Sequence, residues 1–81
     1  MPQPTLTQLG AAIRNLRVGR ELSIEALAGK AELHTVSVSR IEGGKQNPTW
    51  TALSNLATAL EVEMVDLVRL AAEQPNSSLL E

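Results

Sequence analysis

Residues 24–41 read Ile24-Glu25-Ala26-Leu27-Ala28-Gly29-Lys30-Ala31-Glu32-Leu33-His34-Thr35-Val36-Ser37-Val38-Ser39-Arg40-Ile41, and the spacing of their apolar and small residues decides the fold. Leu27, Ala28 and Ala31 share one helical face, Leu33 follows a turn, and Val38 and Ile41 share the next face at i, i+3 spacing. Ala28 is small where two helices would have to approach closely. Two short helices crossing at a tight turn can set the second into the major groove of DNA, so this stretch predicts a sequence-specific DNA-binding chain.

Within it, Thr35 to Ser39 also alternates like a strand, and its β-branched residues favour that state. A lone strand needs a partner. The nearest candidate, Val62 to Val65, alternates for four residues and continues into Asp66-Leu67-Val68-Arg69-Leu70, which reads better as helix. An isolated two-stranded pairing would be marginal, whereas a helix lets Val38 and Ile41 pack on the helices before them. The expectation is a helix capped by His34 or Thr35 and running through Glu42.

Outward from this pair, Thr5-x-x-Gln8 reads as a capping box, with Leu6, Leu9, Ile13 and Leu16 on the buried face of a first helix that ends near Gly19 or Arg20. Ser23 is a good cap for the second helix, with Glu25 in its first turn where the dipole favours an anion. Gly43-Gly44-Lys45-Gln46-Asn47-Pro48 is the strongest loop signal in the chain. Thr49 then caps a fourth helix whose inward stripe is Trp50, Leu53, Leu56, Ala57 and Leu60. A fifth runs from about residue 63 to residue 73. The chain is therefore predicted to be all-α, with one five-helix DNA-binding domain over residues 1–73 and a flexible tail over residues 74–81.

Composition limits the alternatives. At 81 residues with no cysteine, the domain lies near the lower size limit for an unstapled core, and its only aromatic residue is Trp50, so aliphatic packing has to hold it. With one His and no Cys, no structural zinc or other metal is expected, and nothing suggests a cofactor. The lack of an N-terminal apolar segment and of any apolar run near twenty residues predicts a cytoplasmic chain with no membrane partner. The formal net charge of −2 counts against DNA binding until it is divided. Residues 1–50 sum to +2 and residues 51–81 to −4, which leaves a modest basic half, although solvated charge spread by chance gives the same totals.

The ordered pieces Leu9-x-x-x-Ile13-x-x-Leu16-Arg17, Leu22-Ser23-x-x-x-Leu27-Ala28, Val38-Ser39-Arg40-Ile41-Glu42-x-Gly44, Asn47-Pro48-Thr49, Leu53-x-x-Leu56-Ala57-x-Ala59-Leu60 and Asp66-Leu67 resemble the phage repressor and Cro family of helix-turn-helix proteins, the XRE family. The resemblance covers roughly residues 6–70 and implies a lambda-repressor-like domain in which helices 2 and 3 form the helix-turn-helix. It implies that Thr35, Val36 and Arg40 meet base edges, with Ser39 also facing DNA. The chemistry fits: Arg40 can fork onto guanine O6 and N7, Val36 can pack on a thymine methyl, and Thr35 can hydrogen-bond a base or phosphate. A plain phosphate contact for Arg40 and burial of Val36 beneath helix 2 are the plainer alternatives. The resemblance further implies phosphate contacts from Ser23, Arg17, Lys45, Gln46 and the loop amides of Gly43, Gly44 and Asn47, and a bridge from Arg17 to Glu42 that orients helix 3.

Four positions depart from the family pattern. Ile24 stands where many relatives carry a Gln whose amide reaches phosphate. Glu32 and Glu61 stand where Gly is common, and a left-handed residue without glycine's freedom costs about 1 kcal/mol. His34 replaces the usual Ser cap.

The fifth helix carries more apolar surface than one inward stripe uses, and Val65, Val68, Leu70 and Ala72 are the expected homodimer interface; the plainer alternative is that they complete a monomer's core. Two recognition helices about one DNA turn apart, roughly 34 Å, would read a near-palindromic operator. The function expected is a transcriptional regulator, most often a repressor. An antitoxin or protein-interaction module on the same fold is the alternative reading. An enzyme is the least supported, because Glu63 and Asp66 at a helix start serve the dipole and no triad spacing is present.

Overall fold

Five helices run through residues 3–75, which the structure, a computed structural model, describes: α1 (Leu6–Gly19), α2 (Ile24–Ala31), α3 (Thr35–Glu42), α4 (Trp50–Ala59) and α5 (Met64–Glu73), with no strand among the described residues. The all-α expectation holds, and Thr35 to Ser39 is helical. Tertiary burial overrides its β propensity, since Val38 and Ile41 are almost wholly removed from solvent.

Three of the five helix starts follow hydroxyl positions. The Gln8 amide donates to Thr5 Oγ1 (3.1 Å) and the Thr5 amide to Gln8 Oε1 (2.9 Å), completing the capping box. Ser23 Oγ accepts the Ala26 amide at 3.0 Å, and Thr49 Oγ1 accepts the Ala52 amide at 3.1 Å. His34 and Glu63 occupy the cap positions of α3 and α5 without a side-chain bond.

The first four helices all stop in one way. The amides of Leu22, Leu33, Lys45 and Val62 reach back to the carbonyls of Arg17, Ala28, Arg40 and Ala57 at 2.8–3.1 Å, the long bond of a Schellman turn. Each turn needs a left-handed residue just before that amide, supplied by Glu21 (φ 57°), Glu32 (58°), Gly44 (71°) and Glu61 (60°). The sequence pointed to Glu32 and Glu61; Glu21 is an addition. Leu22, Leu33 and Val62, which follow the three glutamates, pack against the core and hold those turns in place.

The core is Ile13, Leu27, Val38, Ile41, Leu56, Leu60 and Leu67, with alanines 12, 28, 31, 57 and 71 at the close approaches. α1 packs on α3 and α5, α2 on α3 and α4, and α4 on α5. Gln8 and Gln74 close the ring. Gln8 Nε2 donates to the Gln74 carbonyl at 2.7 Å, and Asn15 Nδ2 donates to Gln74 Oε1 at 3.0 Å. Of the 74–81 segment expected as a tail, Gln74 is thus anchored, while residues 76–81 lie outside the described residues.

Three apolar assignments need correction. Trp50, expected in the inward stripe of α4, is 74% exposed. Burial along α4 begins in earnest at Leu56, so correct helical phase without a facing partner leaves the first residue bare. Leu6, expected on the buried face of α1, is exposed at the opposite end of its own helix from the core contacts of Leu16. Leu70, expected in the homodimer interface, is half-buried against the core, whereas Val65, Val68 and Ala72 stay on the surface.

Candidate nucleic-acid interface

An eight-residue helix is too short to stand alone in water, so α3 depends on what grips it. Val38 and Ile41 anchor its inner face. Thr35, Val36, Ser39 and Arg40 lie on the outer face, all exposed. Val36 is 69% exposed, so it is not buried beneath α2 and its methyls face outward from the helix. Arg40 makes one long bond, from Nη2 to the Lys45 carbonyl at 3.3 Å, and releasing it frees the guanidinium fork.

The C-terminal end of α3 is clamped to α1. Arg17 Nε donates to Glu42 Oε2 at 2.7 Å and Nη2 to Oε1 at 3.1 Å, a two-pronged pair whose side chains are 12% and 6% exposed. Arg17 Nη1 donates in addition to the Leu22 carbonyl at 2.9 Å. The hydrogen bond to Glu42, opposed by burial and helped by the Glu42 and Glu25 charges, raises the Arg17 pKa above its ordinary value, so the guanidinium stays charged. Gly10 presses directly on the same end: a Cβ there would fall 2.4 Å from the carbonyl oxygens of both Ile41 and Glu42. Gly44 crosses over Thr7, where a Cβ would meet Thr7 Oγ1 at 2.9 Å.

The loop amides divide in two. Those of Gly43, Gly44 and Lys45 are occupied by the carbonyls of Ser39, Ile41 and Arg40 at 2.8–3.1 Å, because they terminate α3. This corrects the expectation that the Gly43 and Gly44 amides hold phosphate. Among the described residues the amides of Gln46 and Asn47 have no such partner, and the Lys45 and Asn47 side chains are exposed beside them. Ser23 is exposed at the start of α2; its oxygen is used as a cap, and its hydroxyl proton remains available.

Gly10 was missed from sequence, although a glycine in the middle of a helix is a signal in itself, since it is less favourable than Ala by roughly 0.5–1 kcal/mol and needs a reason. The tie from Asn55 Nδ2 to the Ala31 carbonyl (3.2 Å), which fixes the end of α2 against α4, left no comparable trace. Among the described residues no group of His, Asp and Glu is placed to hold a metal, and no helix is long and apolar enough to cross a membrane.

The model of the helix-turn-helix domain family matches residues 8–71. No curated protein sequence matches the chain. Among solved structures, the restriction-modification controller protein C.AhdI from Aeromonas hydrophila is 35% identical with a TM-score of 0.75, over 76% of this chain and 94% of that one. The clp gene regulator ClgR from Corynebacterium glutamicum is 28% identical with a TM-score of 0.81, over 88% and 77%. The wild-type restriction-modification controller protein C.Esp1396I is 26% identical with a TM-score of 0.77, over 84% and 88%.

Proposed function

This chain belongs to the helix-turn-helix domain family, and we propose that it is a DNA-binding transcriptional regulator that acts by seating α3 in the major groove. The observation that carries the reading is the outer face of α3: Thr35, Val36, Ser39 and Arg40 are exposed on a helix whose other face is anchored in the core by Val38 and Ile41. Arg40 supplies a guanine-reading fork and Val36 a surface for a thymine methyl. Ser23, Lys45, Gln46 and Asn47 supply phosphate contacts that fix register and make binding fall with salt. Arg17 acts chiefly through Glu42, as the strut that sets the angle of α3.

The regulator works as a homodimer on an inverted repeat. Val65, 74% exposed, and Val68, 40% exposed, with Ala72 beside them on α5, offer the apolar face for an isologous contact. Promoter occupancy is enough for repression. Selection of bound duplexes from a random library tests the whole reading. An inverted repeat with half-sites about one turn, roughly 34 Å, apart is the expected product; recovery of unrelated sequences overturns sequence-specific recognition, and recovery of single half-sites overturns the dimer.

A further inference from the structure

A groove of about 220 Å³ opens between the C-terminal half of α1, the start of α2 and the end of α3, lined by Arg14, Arg17, Ile24, Ser39, Glu42 and Gly43. Its charges are unequally engaged. Arg17 and Glu42 neutralise one another through two hydrogen bonds, and the third arm of Arg17 is held by the Leu22 carbonyl. Arg14, one turn earlier on the same face of α1, is exposed and has no hydrogen-bond or salt-bridge partner among the described residues. The groove therefore presents one uncompensated positive charge, with the Ser39 hydroxyl of the recognition helix beside it. The nearby acid outside the lining is Glu25, which acts on Arg17 from the exposed first turn of α2.

We propose that Arg14 is a phosphate-binding residue and that this groove receives a phosphodiester of the DNA backbone flanking the bases under α3. The proposal rests on the DNA-binding reading above and deepens it. It also explains how the chain manages with Ile24, a half-buried apolar residue on the groove wall that can donate no hydrogen bond. Arg14 delivers the charge across that wall from α1. A guanidinium on a flexible stem suits the task, because it reaches a phosphate with two donors while the neighbouring Arg17 stays locked in its structural pair.

The test is the salt dependence of binding by the full chain to a random-sequence duplex and to a selected operator, by fluorescence anisotropy. One phosphate contact contributes about 0.9 to the slope of log K against log salt, so Arg14→Gln should lower that slope by about 0.9 per protomer and weaken binding about eightfold per protomer near 0.1 M salt, on both duplexes alike. Arg14→Lys should restore most of the slope, and Glu25→Gln made alone in the parent should tighten binding to both duplexes. Thermal melts of Arg14→Gln should match the parent, since the side chain has no internal partner. An unchanged slope and affinity for Arg14→Gln, with the parent binding normally, overturns the proposal and leaves DNA binding standing. A loss confined to the operator also overturns it, because that would make Arg14 a base reader. Failure of the unsubstituted chain to bind any duplex overturns the DNA-binding reading and this inference with it.

Discussion

Gly10 and Gly29 are both helical glycines, and replacing each with alanine should move stability in opposite directions. In α2, a Cβ at Gly29 would meet nothing within 4 Å, so Gly29→Ala gains the ordinary helix preference of about 0.5–1 kcal/mol. In α1, a Cβ at Gly10 would lie 2.4 Å from two carbonyl oxygens and 2.8 Å from the Glu42 carbonyl carbon. Carbon and oxygen settle no closer than about 3.3 Å, so α1 and the end of α3 must part by about 0.9 Å. Both surfaces are backbone and no rotamer change relieves them. Overpacking of this kind costs about 3 kcal/mol at the upper end of the usual range, and the helix preference returns about 1, leaving Gly10→Ala less stable by about 2 kcal/mol. For a domain of this size that lowers the melting temperature by roughly 8–16 °C, against a rise of roughly 2–8 °C for Gly29→Ala, both read by circular dichroism. DNA affinity should fall further for Gly10→Ala than its folded fraction accounts for, because the displaced contact sets the angle of α3. A Gly10→Ala protein that melts at or above the parent temperature would refute the close approach and the clamp argued from it.

Arg17→Met strands the Glu42 carboxylate at 6% exposure, and breaking such a pair costs about 3–5 kcal/mol in urea titrations; adding Glu42→Leu should recover much of the loss while DNA affinity stays low. Glu21→Gly, Glu32→Gly and Glu61→Gly each relieve a left-handed side chain, and each should raise stability by about 0.5–1 kcal/mol after the greater freedom of glycine in the unfolded chain is subtracted. No change in any of the three would remove backbone strain as the reason those turns are costly. Arg40→Ala should lose about 1–3 kcal/mol of operator affinity and relax preference at one base pair per half-site, whereas Lys45→Ala should weaken operator and random duplexes alike. Equal losses on both duplexes for Arg40→Ala would reduce Arg40 to a phosphate contact.

What was legible in the sequence is what rests on periodicity and on local caps. Thr5, Ser23 and Thr49 begin helices because a hydroxyl beside an amide is enough, and Leu27, Ala28, Val38 and Ile41 are buried because their spacing leaves them one face. Trp50 was misplaced because periodicity gives the phase of a side chain and not the length of the helix opposite it. The Gly43 and Gly44 amides were misassigned because a glycine pair after a helix serves termination and ligand approach equally well until the hydrogen bonds are traced. Gly10 and the Gln8–Gln74 tie depend on segments 31 or more positions apart in sequence, which no local pattern carries.

These long-range contacts gather at one end of the recognition helix. The C-terminal end of α3 meets Gly10, holds Arg17 through Glu42, and turns through Gly44 over Thr7, so α1 fixes it from three directions. At the N-terminal end the core contact of Leu33 stops one residue short of the cap, leaving His34 with no side-chain bond and Thr35 and Val36 exposed. A helix held at its far end and bare at its near end is suited to reading bases with its first turn, since nothing intramolecular has to be released there on docking. The same asymmetry makes the angle of entry a property of α1, not of α3. Changes on the α1 side of the clamp should therefore alter which bases are reached by tilting α3, and Gly10 and Arg17 are where that coupling should be strongest.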